Sequence, residues 1–445
     1  MTDKLNNLSQ TSPNSNKWMI KNGAFSVQDG DKAVIRGYMV IEDDLISYIG
    51  EEAPANVEGI PVIDGTHLFF MPGLVNTHGH AAMSLLRGYG DDLALQVWLQ
   101  EKMWPMEAKF TSSDVYWGTS LSVVEMLKGG TTTFLDMYDH MDQVGKVVEQ
   151  SGMRASLMRG AIGLCSEELQ KHKLAEAIAF AKDWNGKADG RITTMLSPHA
   201  PYTCPPAFFE KFVQAAHDLD LPMHTHMSET KAEVEQNVQD YGLRPVAHLE
   251  KMGMFTRPSL VAHGVHLNDE EIDILASHHV GVSHNPGSNL KLASGVARVI
   301  ELMRAGVKVS LGTDGAASNN NLDMFEEMRL AALIHKGVSG DPTAVPAAEA
   351  LRMGTIYGAE SLFLDRVGVL APGMKADMIA LNTDQAHFLP HSDLISHAVY
   401  SASAKDVEHV WVDGKQIVKH GACLTLDEER IRREAQAAFE GLLSR

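Results

Sequence analysis

The chain has 445 residues, 44% of them hydrophobic, enough for one large domain and a smaller one. Its net charge of −19, from 38 basic and 57 acidic residues, argues against a general electrostatic grip on nucleic acid. No apolar run reaches the roughly eighteen residues of a membrane span, so no membrane partner is expected. Three widely spaced cysteines, Cys165, Cys204 and Cys423, suit a reducing compartment, and a cytoplasmic protein is expected.

Residues 1–16 are polar and rich in Asn and Ser, without the basic and apolar regions of a secretory signal. They read as a disordered tail. From 17 to 67 short apolar clusters alternate with turn signals, as in Trp18-Met-Ile-Lys-Asn-Gly and Leu45-Ile-Ser-Tyr-Ile-Gly. That texture returns over 368–425, where Asp413-Gly414 is a hairpin signal. The two stretches are expected to form one small composite β domain, a β-sandwich made by both chain termini. A charged, helical pattern closes the chain over 426–445.

Between them, over 68–367, strand-length apolar runs alternate with amphipathic segments such as 113–128, 206–218 and 269–276. The first run leads into Met71-Pro-Gly-Leu-Val-Asn-Thr-His-Gly-His80. Others are Thr131-Thr-Thr-Phe-Leu-Asp-Met137, Arg154-Ala-Ser-Leu-Met-Arg-Gly160, Arg191-Ile-Thr-Thr-Met-Leu-Ser-Pro-His199 and Pro222-Met-His-Thr-His226. Ser259-Leu-Val-Ala-His-Gly264, Gly281-Val-Ser-His284 and Val307-Lys-Val-Ser-Leu-Gly-Thr-Asp314 complete eight. Eight such runs predict an α/β fold of the (β/α)8 TIM-barrel type. No Gly-rich dinucleotide fingerprint follows any of them, which disfavours a doubly wound sheet.

The polar residues fall at the ends of these runs. His78 and His80 end the first, His199 the fourth, His226 the fifth, His263 the sixth and Asp314 the eighth. In a β/α barrel those ends share one rim, where active sites lie. On an extended strand His78 and His80, two residues apart, would point the same way. Three imidazoles and one carboxylate suit a divalent ion such as Zn²⁺, so His78, His80, His226 and Asp314 form the expected ligand set. Glu229, three residues after His226, could move a proton, although Ser228-Glu-Thr-Lys-Ala-Glu also reads as a helix start. His263 could polarise the nucleophile or substrate, and His199 could contact the substrate.

These residues resemble the amidohydrolase superfamily, through Pro72 to His80, His226 with Glu229, His263, Gly312-Thr-Asp-Gly315 and Pro372-Gly-Met-Lys-Ala-Asp-Met378. Binuclear members carry a bridging lysine at the end of the fourth run; Ser197-Pro-His199 stands there instead, which points to the mononuclear branch. Within that branch the chain is similar to 5′-methylthioadenosine/S-adenosylhomocysteine deaminases. Trp104-Pro-Met-Glu107, Gly152 to Gly160, Ser197 to Tyr202 and Ser283-His-Asn-Pro-Gly-Ser-Asn289 carry that similarity.

The resemblance implies one Zn²⁺ per subunit, with Fe²⁺ as the alternative, a small-molecule nucleoside substrate and a homo-oligomer, dimer or tetramer. It implies hydrolytic deamination of 5′-modified adenosines to inosine analogues and ammonia. Glu107 would hold ribose hydroxyls, and Arg159 and His199 would line the nucleoside pocket. Glu229 would bind the purine and move protons, and Asp314 would bind metal and take the water's proton. Family members can carry a second substrate-binding arginine after the one matching Arg159, but 161–173 contains none. The alternatives are a deaminase or chlorohydrolase of another N-heterocycle, such as guanine, adenosine or a triazine, and a non-catalytic metal-binding barrel. The cytidine-type zinc deaminases need Pro-Cys-x-x-Cys, which the chain lacks.

Overall fold

The computed structural model describes residues 16–29 and 32–445. Apart from Asn16, the tail expected over 1–16 lies outside the described residues.

Both ends of the chain build one nine-stranded sheet. Its order is Ala422–Cys423, Lys415–Lys419, Val407–Val412, Met378–Asn382, Leu68–Pro72, Lys17–Asp29, Lys32–Glu42 and Leu45–Gly50, with Val62–Asp64 beside Lys17–Asp29. Val412 pairs with Lys415 across Asp413-Gly414, the turn expected there. The sheet is strongly curled. Trp18 and Trp411 lie three strand spacings apart, about 14 Å on a flat sheet, yet their ring centroids are 5.9 Å apart. They share a buried apolar cluster with Phe25, Met39, Phe70 and Met378.

The apolar run Leu68–Pro72 pairs within this terminal sheet and not within the barrel. Gly73 makes the crossing. A Cβ there would stand 2.1 Å from Thr132 Oγ1, so only glycine lets the two sheets approach so closely. The first barrel strand is the next segment, Leu74–Asn76.

The eight expected runs form parallel strands: Leu74–Asn76, Thr131–Tyr138, Arg154–Ala161, Ile192–Thr194 with Ser197–Pro198, Met223–Met227, Ser259–His263, Gly281–His284 and Val309–Leu311. They pair in chain order within two sheets, one ending in the fourth run and the other starting at the fifth. Hydrogen bonds join these sheets into a ring. Leu196 N–H donates to Pro222 O at one seam, and Thr77 N–H donates to Leu311 O at the other. The intervening helices begin at local signals. Thr111 and Asp114 form a capping box for Ser112–Lys128, as do Asn268 and Glu271 for Asp269–Ser277.

Arg154, at the start of the third barrel strand, ties the ring to the terminal sheet. Its guanidinium donates to both Asp377 oxygens, at 2.8 and 3.2 Å, and to Asp413 Oδ1 at 2.6 Å. All three side chains are buried. Replacing Arg154 by Met would leave buried Asp377 without its cation and Asp413 with Lys375 alone, at 3.4 Å. The expected loss is about 3–5 kcal/mol of unfolding free energy, read from urea denaturation monitored by tryptophan fluorescence.

Candidate active site

The rim brings the expected residues together, by a route the strand pattern did not foretell. His78-Gly79-His80 does not lie on a strand. The strand stops at Asn76 and the histidines follow in the loop beyond it. Long-range bonds fix that loop. Asn76 Nδ2 donates to Thr313 Oγ1 at 2.7 Å, and Asp314 N–H donates to His78 O at 3.0 Å. The two rings still converge, 4.9 Å apart and nearly perpendicular.

Two overlapping sets of Lewis-basic groups meet at His78, one with His80 and His226 and one with His263 and Asp314. His80 Nδ1 lies 2.8 Å from Met137 O, and His226 Nδ1 lies 2.8 Å from His199 O. A carbonyl only accepts, so each Nδ1 carries a proton and Nε2 is the nitrogen left to face a metal. Those two Nε2 atoms are 3.4 Å apart. Asp314 Oδ1 is 3.4 Å from His78 Nε2 and 3.3 Å from His80 Nε2. Apart from that Asp314 contact, the ring nitrogens of buried His78 have no hydrogen-bond partner among the described residues. Burial pushes His78 down to about 4 and His226 well below the usual histidine range, which leaves both rings neutral. Lone pairs this close repel unless a cation lies between them. With metal–nitrogen bonds of about 2.0–2.1 Å, the edge of a tetrahedral site is about 3.3–3.4 Å. The donor set therefore fits Zn²⁺.

Asp314 is held in place as well. Its Oδ2 accepts from Ser288 Oγ at 2.6 Å and Ser318 Oγ at 2.8 Å. Burial alone would raise its carboxyl; the imidazoles of His78, His80 and His263 more than offset this and hold it well below the usual carboxylate range. His263 Nδ1 is 2.9 Å from Asn289 Oδ1, and its Nε2 is 3.7 Å from Glu229 Oε2. Asp314 and His263 both have left-handed backbones, with φ of +60° and +75°. Such strain costs about 1–3 kcal/mol per residue and gathers at functional sites.

The helix start read around Glu229 is real, but another residue caps it. Thr230 caps Lys231–Tyr241 by accepting from Glu233 N–H. Glu233 in turn reaches back, its carboxylate accepting from the Ser228 and Glu229 amides at 2.8 and 2.7 Å. Glu229 is thus released from capping and turned into the site, where it is 4% exposed. Burial, together with the Asp314 charge, pushes it up to about 8.

These groups open into a cavity of about 540 Å³. Glu107, Arg159 and His199 line it, as expected. Tyr138 Oη donates to Glu107 Oε1 at 2.6 Å, leaving the other carboxylate oxygen for a ligand. Burial raises Glu107 in spite of that bond. Burial pushes His199 down to about 3, and its Nδ1 lies 2.8 Å from Thr203 Oγ1. The Arg159 charge is already balanced, at 3.0 Å from Asp139 and 3.4 Å from Glu176.

Three lining residues escaped the sequence reading. Lys173 ends the stretch without arginine, and its ammonium, bonded to Ile162 O at 2.9 Å, lies on the cavity wall. The indole N–H of Trp98 is buried without a partner. Tyr138 ends the second barrel strand one residue past the run quoted for it. His224 has the same two-residue spacing to His226 that His78 has to His80. Its ring stacks against His78 at 5.2 Å, and it joins neither group of converging ligand atoms found here. A further group, Glu408, His409 and His420, lies on the terminal sheet; there the His420 ring is already bonded to the Glu408 carboxylate at 2.5 Å.

Residues 69–417 match the amidohydrolase family. The chain belongs to that family. It is 50% identical over 412 residues to the 5-methylthioadenosine/S-adenosylhomocysteine deaminase of Dictyoglomus thermophilum, covering 92% of this chain and 96% of that protein. The protein of the same name from Halalkalibacterium halodurans is 47% identical over 428 residues, 95% and 98% of the two chains. Among solved structures, a zinc-bound adenosine deaminase from Xanthomonas campestris superposes with a TM-score of 0.90 at 35% identity, over 96% and 99% of the two chains. A zinc complex of atrazine chlorohydrolase from Arthrobacter aurescens shares the fold, with a TM-score of 0.87 at 24% identity over 95% and 100%.

Among the described residues no helix is long and apolar enough to cross a membrane.

Proposed function

We propose that this amidohydrolase deaminates 5′-modified adenosines, namely 5′-methylthioadenosine and S-adenosylhomocysteine, to the inosine analogues and ammonia. The observation that carries the reading is that His78 converges with His80 and His226, with Asp314 Oδ1 3.4 and 3.3 Å from the His78 and His80 rings, beside a buried Glu229 and in a cavity that also holds Glu107. The names of relatives near 50% identity support it.

His78, His80, His226 and Asp314 would hold one Zn²⁺ per subunit. A bound ion there supplies the Lewis acidity that makes water a nucleophile near neutral pH. Asp314 and His263 orient the attacking water and take its proton. Glu229, buried and protonated at neutral pH, donates to the ring nitrogen beside C6 as the new C–O bond forms. The proton taken from the water passes to the amino group, collapse of the tetrahedral carbon expels ammonia, and the remaining hydroxyl proton returns to Glu229 as the carbonyl forms. Glu107 accepts from ribose hydroxyls, with Tyr138 fixing its rotamer, and His199 lies beside the nucleoside. We read the curled terminal sheet, with Trp18 and Trp411 packed inside it, as a small β-sandwich. Three cysteines without disulfides suit the cytoplasm.

Lys173 bears on substrate choice. Unlike Arg159, it has no carboxylate bonded to its ammonium among the described residues. It is the cation best placed to meet the homocysteine carboxylate. A charge-assisted hydrogen bond contributes about 1.5–3 kcal/mol. Lys173→Met should therefore raise KM for S-adenosylhomocysteine about tenfold or more, and leave methylthioadenosine within about twofold.

The test of the activity is a screen of the zinc-loaded protein against adenosine, methylthioadenosine, S-adenosylhomocysteine, guanine and a chlorotriazine. Ultraviolet absorbance and released ammonia are followed together. Turnover of the 5′-modified adenosines is expected; no deamination of any adenosine derivative would overturn the reading.

A further inference from the structure

Glu327 lies on the helix Met324–Ser339, touches neither the cavity nor the ligand atoms, and is fully buried. No cation is bonded to it among the described residues. A buried carboxylate without a cation is costly to keep. Its two oxygens are nevertheless used with care. Oε2 accepts from Gly287 N–H at 3.0 Å, and Oε1 accepts from Asn319 Nδ2 at 2.7 Å.

Those partners belong to the two short segments that hold the proton-handling residues. Next to Gly287 stand Ser288, which donates to Asp314 Oδ2, and Asn289, whose amide oxygen meets His263 Nδ1. Next to Asn319 stands Ser318, the second hydroxyl on Asp314 Oδ2. Asn319 also donates to Thr313 O at 2.8 Å, directly before Asp314. The fit is tight: a Cβ at Gly287 would stand 2.5 Å from Glu327 Oε1 and 2.7 Å from Asn319 Oδ1. Each segment is short; besides Lys291, whose ammonium donates to Ala317 O at 3.0 Å at the far end of the first segment's helix, Asp314 and Glu327 are what bond the two together.

We propose that Glu327 is a positioning residue that clamps segments 285–289 and 316–319 together, and so sets the orientation of Asp314 and His263. The proposal rests on the reading of those two residues as metal ligand and proton acceptor. Outer partners of a ligand carboxylate typically contribute 10–100-fold to activity or metal affinity.

Glu327→Gln is the test, made in the full-length zinc-loaded protein. Gln has one acceptor where Glu has two, so either Gly287 or Asn319 meets an NH₂ whichever way the amide turns. Expected results are a kcat lowered about tenfold or more with KM within about twofold, and zinc lost to a chelator about tenfold faster. The melting temperature should stay within a few degrees of wild type, because burial pushes Glu327 up to about 8 and the amide replaces a largely uncharged carboxyl of the same shape. A double variant with Ser288→Ala should lose less than the product of the two single effects, since both act through the same Asp314 oxygen. Unchanged kcat and zinc loss, or a melting temperature that falls while kcat holds, would overturn the clamp. If Gln proves insoluble, Asn319→Ala removes the same strut from its other end and must show the same split. A wild-type protein without deaminase activity would defeat the underlying reading instead; the rate of zinc loss would still test the clamp.

Discussion

Glu229→Gln should lower kcat by about 10²–10⁴-fold, the range for loss of a general acid–base group, with zinc content unchanged. The expectation follows from what surrounds Glu229. It is 4% exposed, it lies 3.7 Å from His263, and its backbone is held by Glu233 and not by its own carboxylate. Nothing in the local helix needs its side chain, because Thr230 is the cap. Burial raises its carboxyl to about 8, so at neutral pH it carries a proton to give. Glutamine keeps the shape and can still donate to the ring nitrogen, yet it cannot transfer a proton. The binding step should therefore survive better than the chemical step, with KM moving less than kcat. Steady-state kinetics beside metal analysis of the same preparation make the measurement. Undiminished turnover of Glu229→Ala at full zinc content would remove Glu229 from the mechanism.

Asp314→Asn should abolish activity through the metal as well as the proton. Asp314 is the one carboxylate among the converging ligand atoms around His78, and it supplies the negative charge beside the imidazoles. Its second oxygen is occupied by two hydroxyl donors. An amide must either turn its NH₂ toward Ser288 and Ser318 or present it to the lone pairs of His78 and His80. Zinc affinity should fall more than about a hundredfold, beyond what loss of an outer partner does. Equilibrium dialysis against buffered zinc reads this directly. A variant that keeps wild-type affinity would show that Asp314 is not a ligand.

The sequence exposed more of the site than of its construction. Apolar runs of strand length betrayed seven of the eight barrel strands, because a strand buried on both faces must be apolar along its length. The run ends then put His78, His80, His199, His226, His263 and Asp314 on one rim. The same pattern misplaced the run Leu68–Pro72, which is apolar because the curled terminal sheet buries it. Burial leaves the same mark whichever sheet supplies it. The Ser228-Glu-Thr-Lys-Ala-Glu motif likewise marked a helix start without telling which acid serves the helix. Glu229 and Glu233 are chemically identical, and only the fold assigned one to the substrate and the other to the backbone.

By itself the sequence determined the alternating architecture, the rim histidines and Asp314, and the absence of a lysine at the fourth strand end. Each of these is a local pattern or a residue type at a run's end. The tertiary structure alone decided that His78 and His80 converge from a loop, held by Asn76 to Thr313 across 237 positions. It alone decided that Lys173 faces the cavity while Arg159 is balanced by Asp139 and Glu176, and that Glu327 braces the segments behind Asp314. Such choices depend on which distant groups meet in a buried, water-poor space, where an unpaired lone pair or charge is costly. No spacing along the chain records that meeting.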